Sequence, residues 1–187
     1  MHVASPHLRP IIVAVASCAL TACTVELGVT AQALTGDPVV DCPVVDPHAI
    51  AGHEATFYHC AEETLSCGPD GYLIGYGARY AERFYRHTRP WMSPVGKRWL
   101  DATLVCLQIA LRERIDATTS CADVRTLAFD SHPECYVDAG FCQLPISDWF
   151  AVAATIDGRD WLSRDAQRQL TTTARACLFG LSAGAVL

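Results

Sequence analysis

The ten cysteines of this 187-residue chain are the residues whose number and spacing most strongly indicate a chemical role. Thiols can hold a metal, carry a lipid or pair as disulfides. Metal clusters favour CxxC pairs, but no two cysteines here lie closer than five residues apart, and beyond residue 23 the closest spacing is seven. That spacing favours structural disulfides. If Cys18 is removed with a leader and Cys23 carries a lipid, eight remain and allow 105 connectivities: Cys42, Cys60, Cys67, Cys106, Cys121, Cys135, Cys142 and Cys177.

Residues 1–22 are typical of an export signal. Residues 11–20, IIVAVASCAL, form an apolar run that is too short to span a bilayer but long enough for a signal peptide. The run ends at Leu20-Thr21-Ala22-Cys23, which resembles the bacterial lipobox and predicts lipidation of Cys23. Lipidation of Cys18 and ordinary secretion are the alternatives. Either way, the sequence predicts an exported protein of the cell envelope or a secreted one, where disulfides persist.

Three histidines and three glutamates near residue 55 are candidate zinc ligands. His53 and His59 are six residues apart, whereas two ligands on one face of a helix need a spacing of four. We therefore expect no metal site and interpret the group as solvated loop residues: His48, His53, His59, Glu54, Glu62 and Glu63.

Two short motifs could belong to a small secreted hydrolase. Asp70 lies in a glycine-rich turn, and Asp130-Ser131-His132 places a carboxylate, a hydroxyl and an imidazole side by side. The order differs from that of calcium-dependent phospholipases, and adjacent residues rarely point at one another. We expect Ser131 to cap a helix that starts at Pro133, with no catalytic residue and no cofactor.

Arginines and tryptophans are further candidates for ligand binding. Arg79, Arg83 and Arg86 share one helix face and could bind an anion, but a solvated face is the simpler expectation. The four tryptophans are mostly near helix starts, where core and boundary packing is expected: Trp91, Trp99, Trp149 and Trp161.

These residues must be positioned by an all-α fold of about five helices. Half of the chain is hydrophobic (51%) and 18% is charged, which excludes a disordered polyelectrolyte, and the net charge of -6 disfavours nucleic acid. Residues 23–56 contain many prolines and predict a tether and loop, and residues 57–187 predict the helical domain.

The helix boundaries follow from aromatic spacing and capping residues. An aromatic repeat of four residues, from Tyr72 to Phe84, predicts a helix over 72–87. Ser93-Pro94 predicts the start of a helix that runs to about residue 114. Further helices are predicted over 120–139 with a break at Pro133, from Ser147-Asp148 to 157, and from Asp160 or Ser163 to 179; Gly140 and Gly158 are expected to end the helices before them.

The cysteine spacing and several motifs resemble the stanniocalcin family. Cys121 is followed after 14 residues by Cys135, after seven more by Cys142 and after 35 more by Cys177. The motifs that fit are Cys67-Gly68-Pro69-Asp70-Gly71-Tyr72, Gly96-Lys97-Arg98-Trp99-Leu100 and Glu134-Cys135-Tyr136. The resemblance covers 67–177 well and 42–60 loosely.

This resemblance implies the pairs Cys42–Cys60, Cys67–Cys121, Cys106–Cys135 and Cys142–Cys177. The family has a further bridge, of which one end falls near Ala81, and a C-terminal cysteine that links two chains; neither has a counterpart here. A covalent dimer is therefore not expected.

The family's role implies a function for this chain. Stanniocalcins are secreted glycoprotein regulators and protein-binding inhibitors, so the resemblance implies a non-enzymatic role in binding a protein or small ligand. The chain contains no asparagine and hence no N-glycosylation site. The alternatives are a secreted phospholipase-like hydrolase and a structural envelope lipoprotein.

Overall fold

A computed structural model of the protein describes residues 41–179. These residues form seven α-helices and no β-strand, which confirms the all-α prediction and exceeds the expected number of helices by two. No helix in this range is both long and apolar enough to cross a membrane. The helices are α1 (Thr56–Leu65), α2 (Arg79–Arg83), α3 (Pro94–Arg112), α4 (Cys121–Asp138), α5 (Ile146–Thr155), α6 (Gly158–Trp161) and α7 (Arg164–Phe179).

The helix expected over 72–87 is a composite of several helix types. A π-helix (Tyr72–Ala78) leads into α2, and a second π-helix (Phe84–Thr88) leads into a 3-10 turn (Arg89–Trp91). A four-residue repeat advances by about 40° per step on an α-helix of 3.6 residues per turn. The wider π turns counter this drift. The aromatic repeat therefore stays on one face.

Gly77 allows the first π-helix to approach α1. A Cβ atom at this position would lie 2.6 Å from a ring carbon of Tyr58, which is buried. Real Cβ atoms do not approach ring carbons this closely, so only glycine fits between the two elements.

Helix α3 has the start that the sequence predicts. Ser93 is the N-cap, and its hydroxyl accepts a hydrogen bond from the Gly96 N–H at 3.1 Å, with Pro94 as the first helical residue. Trp99, Leu100 and further apolar side chains of α3 are buried. Helix α4 packs against α3 on one side and α7 on the other.

The expected break at Pro133 is wrong, because α4 continues through it. Pro133 removes one backbone hydrogen bond but is itself buried. The hydroxyl of Ser131 does not cap a new helix; it donates to the Ala128 carbonyl oxygen at 2.7 Å. Core side chains before and after the proline, including Phe129 and Cys135, are buried and hold both halves in line.

Residues 41–55, expected to belong to a tether and loop region, form a loop that packs against the helical body. Gln108 of α3 is fully buried, and its side-chain amide bonds to the backbone of this segment at both ends. Its Oε1 accepts from the Val45 N–H and its Nε2 donates to the Glu54 carbonyl oxygen, both at 2.9 Å. One buried amide thus supplies two of the backbone partners that this loop needs.

Two boundaries near the C-terminal end also differ from expectation. Helix α5 starts at Ile146 after Pro145, so Ser147 and Asp148 lie in its first turn. Asp148 is buried and accepts hydrogen bonds from the backbone N–H and the hydroxyl of Ser93, which ties α5 to the start of α3. Gly158 begins the short helix α6 rather than ending α5.

The remaining two capping expectations agree with the structure. Gly140 has a φ of 103° and follows α4, as expected for a left-handed residue at a helix end. The Ser163 hydroxyl accepts from the Ala166 N–H at 3.2 Å at the start of α7, so Ser163 rather than Asp160 is the cap.

Four disulfides lie within the described residues. Their Cα–Cα distances run from 5.2 to 5.7 Å, within the range of about 4.4–6.8 Å that such bonds need. They are the four pairs that the family resemblance implies: Cys42–Cys60, Cys67–Cys121, Cys106–Cys135 and Cys142–Cys177.

Candidate ligand-binding groove

The histidines considered as zinc ligands lie on the surface. His48, His53 and His59 are all exposed. Glu54 is buried instead, and its carboxylate lies 3.4 Å from the Arg86 guanidinium. Burial works against ionisation of Glu54, but backbone hydrogen bonds and Arg86 outweigh it and lower the pKa of this carboxyl. Within residues 41–179, no three His, Cys, Asp or Glu side chains are arranged to hold a metal ion.

The residues suspected of hydrolase chemistry are not brought together. His132 is buried, and its Nδ1 lies 2.6 Å from the Ala128 carbonyl oxygen. Burial lowers the pKa of His132 to about 4. Asp70 is exposed in the turn before the first π-helix, and Asp130 pairs with Arg168 at 2.7 Å. His132 has no carboxylate partner among the described hydrogen bonds, so Asp130-Ser131-His132 does not form an acid–base pair in this structure.

The three arginines of the first helical segment form ion pairs rather than a free cationic face. Arg79 contacts Asp157 at 2.9 Å and Asp160 at 2.6 Å, and Arg83 contacts Asp157 at 2.6 Å. Arg86 lies between Glu54 and Glu82. All three side chains remain partly exposed, so the face is solvated as expected, but nearby carboxylates neutralise its cations.

A deep apolar groove lies among α4, α5, α6 and α7. Its volume is about 500 Å³, within the range of about 300–1,000 Å³ that is typical of small-molecule sites. Its lining residues are almost all apolar or aromatic: Tyr76, Tyr136, Phe141, Ile146, Trp149, Phe150, Val152, Ala153, Ile156, Trp161, Ala166, Gln169, Leu170, Thr173, Ala174, Cys177 and Leu178.

Two tryptophans form fixed walls of the groove. The Trp149 Nε1–H donates to the Phe141 carbonyl oxygen at 3.1 Å, and the two rings stack with centroids 5.7 Å apart. The Trp161 Nε1–H donates to the Ala153 carbonyl oxygen at 2.9 Å. Because both indole donors are used by the backbone, the ring surfaces that face the groove present only apolar area.

The rim of the groove exposes an unusual amount of apolar surface. Ile146 is 68% exposed, Phe150 69% and Leu178 78%. Scattered apolar residues are normal on a protein surface, but contiguous ones around a concavity mark interaction sites. The rim therefore extends the apolar surface of the groove outward.

The floor of the groove includes two buried polar side chains of α7 and the partly buried Tyr136 of α4. Gln169 and Thr173, one turn apart on α7, are both at least nine-tenths buried. Gln169 Oε1 and Thr173 Oγ1 have no hydrogen-bond partner within the described residues. Burial raises the pKa of the neighbouring Tyr136 to about 12, and a hydrogen bond from the Gln169 side chain opposes that rise. Tyr136 is thus a neutral phenol at physiological pH.

Sequence reasoning missed this groove, although it had singled out some of its residues. Trp149 and Trp161 were expected to be packing residues, and both do pack, but each also forms one wall. The available signal was in α5, where Trp149, Phe150 and Val152 follow one another with little polar interruption. Such a helix needs apolar cover on more than one side.

Comparison of the chain with models of protein families gives no match, and neither does comparison with curated proteins or with solved structures.

Proposed function

We propose that this protein is an exported, non-enzymatic binding protein that holds an apolar small ligand in the groove between α4 and α5–α7. The observation that carries the proposal is a groove of about 500 Å³ with fixed aromatic walls and an exposed apolar rim. Burial of apolar surface is the main source of affinity in such sites.

Binding is better supported than the two alternative functions. A hydrolase would need His132 as a base, and this imidazole is buried against a backbone carbonyl. A purely structural lipoprotein would have no need of an open apolar groove, which costs stability unless a ligand fills it.

The stanniocalcin-like character of the chain remains part of the proposal. It is supported by the four disulfides, since each joins the cysteines that the resemblance pairs. It is also supported by the helical fold around them. The family's role as a binder rather than a catalyst agrees with the groove.

Export and lipid anchoring at Cys23 are proposed from the sequence and favoured by the four disulfides, which need an oxidising compartment. Cys18 and Cys23 both lie outside the described residues. We expect the wild-type protein in the membrane fraction and Cys23→Ser to release it or leave an unprocessed precursor. A wild-type protein found wholly soluble, and cleaved at another residue, would refute the anchor without touching the binding proposal.

Ligand binding is tested with Nile red, an uncharged apolar dye that fluoresces in apolar sites. Ala174 lines the groove on α7, and Ala174→Trp would fill part of its volume. Ala102 is the matched control, because it is also an exposed helical alanine but lies on α3 outside the groove.

We expect saturable one-to-one binding of Nile red by the wild type and by Ala102→Trp, and about tenfold weaker binding by Ala174→Trp, equivalent to about 1.4 kcal/mol. Absence of saturable binding, or equal affinity in all three proteins, would refute the groove as the binding site.

A further inference from the structure

The floor of the groove carries two polar groups that the protein leaves without partners. Gln169 Oε1 and Thr173 Oγ1 are buried and form no hydrogen bond within residues 41–179. Nearly all buried polar groups in native proteins are hydrogen-bonded, so two unpaired ones a single helical turn apart need an explanation. Both residues line the groove, which is where a ligand would meet them.

The two groups differ in what they accept and donate. The Gln169 Oε1 atom is an acceptor, and the Thr173 hydroxyl both donates and accepts. The Gln169 carbonyl oxygen has no donor within the described residues, so it can accept from a ligand. A ligand hydroxyl can donate to Gln169 and accept from Thr173 at the same time. Both oxygens are buried, so each side chain must rotate for its oxygen to reach a ligand in the groove.

The charge of the groove excludes an anionic head group. None of the described lining residues is charged, so nothing there would compensate a carboxylate or phosphate that lost its water. A carboxylate would also meet the Gln169 oxygen, another acceptor. A plain hydrocarbon would bury its chain but leave both oxygens unpaired.

Resting on the proposed binding function, we infer that the groove selects an uncharged amphiphile with one apolar chain and a hydroxyl head, as in a fatty alcohol. The head binds at Gln169 and Thr173. The chain runs outward between Trp149 and Trp161 toward the exposed rim at Phe150 and Leu178.

Displacement of Nile red by dodecanol, dodecanoate and dodecane tests the head group, because the three ligands share one chain length. We expect dodecanol to bind about tenfold more tightly than dodecanoate and several-fold more tightly than dodecane. Thr173→Val, which keeps the shape but removes the hydroxyl, should lower the preference for dodecanol over dodecane by about three- to tenfold. Gln169→Met alone should also lower the preference for dodecanol over dodecane.

Thr172→Val is the matched control, since the neighbouring Thr172 does not line the groove. It should keep the wild-type preference. Equal affinity for dodecanol and dodecanoate, or an unchanged preference in folded Thr173→Val and Gln169→Met, would overturn the head-group inference. Saturable binding of Nile red in the same experiment would show that the proposed binding function still holds. Failure of Nile red and all three ligands to bind would overturn both proposals.

Discussion

At the scale of single residues, the core is organised around one buried imidazole. His132 stacks on Phe129 with ring centroids 5.3 Å apart and meets Tyr136 edge to face at 5.6 Å. Burial also raises the pKa of Tyr72 and Tyr76 well above the ordinary value for a phenol. The imidazole and the three phenols are therefore uncharged at neutral pH, which is the form that an apolar interior tolerates.

His132 makes the stability of the protein depend on pH in a definite window. Its pKa falls from 6.5 to about 4 on folding, mainly through burial. Below pH 6.5 the unfolded chain binds a proton that the folded protein does not. The contribution of His132 to the free energy of unfolding is therefore fully present above pH 6.5, and about 3 kcal/mol of it is lost as the pH drops toward 4. In His132→Phe this part of the pH dependence should disappear, as measured by urea unfolding from about pH 7 to about pH 4.

His53→Gln provides the control, because His53 is exposed and outside the core. It should retain the wild-type slope, and the carboxylates that also titrate at low pH are common to all three proteins. A His132→Phe protein that loses stability as steeply as the wild type over this window would show that the buried imidazole does not control it.

At the scale of elements, capping residues made the helix starts predictable. Ser93 and Ser163 cap α3 and α7 as expected, because a serine hydroxyl can satisfy an N–H of the first turn without help from distant residues. The start of α5 was misplaced, since Asp148 bonds to Ser93 on another helix instead of capping its own. The course of α4 through Pro133 likewise depends on burial against other helices, which local sequence does not reveal.

The groove could not be predicted for the same reason. Its walls come from α5, α6 and α7 and its floor from α7 and α4. The groove therefore exists only once those helices are packed together. Gln169 and Thr173 are ordinary polar residues in the sequence, and become notable because α7 packs with that face inward. The disulfide pairs were accessible earlier, because their spacing resembles a known pattern.

At the scale of the whole molecule, α7 is both a structural element and one wall of the groove. It is held by the Cys142–Cys177 disulfide and by ion pairs of Arg125 with Asp165 and Arg168 with Asp130. Ion pairs between partly exposed side chains contribute little to stability, so packing against α4 and the Cys142–Cys177 disulfide are the main constraints on this helix. We expect the position of α7, and with it the groove, to depend on this disulfide in addition to the packing of α7 against α4.

The dependence of the groove on Cys142–Cys177 distinguishes this disulfide from Cys42–Cys60, although the two should contribute similarly to stability. In the chain-entropy description, loops of 35 residues for Cys142–Cys177 and 18 for Cys42–Cys60 each stabilise the fold by about 3–4 kcal/mol. Cys142→Ala/Cys177→Ala should lose this stability and also bind Nile red about tenfold more weakly, because α7 occupies its packed position for a smaller fraction of the time. Urea unfolding and dye titration measure the two effects.

Cys42→Ala/Cys60→Ala should lose a similar amount of stability yet bind the dye as the wild type does, since neither cysteine lines the groove. The comparison therefore distinguishes general destabilisation from loss of the α7 wall. If both double variants bound Nile red equally well while folded, the packing of α7 against α4 would suffice to form the groove. The role assigned to the Cys142–Cys177 bond would then be refuted.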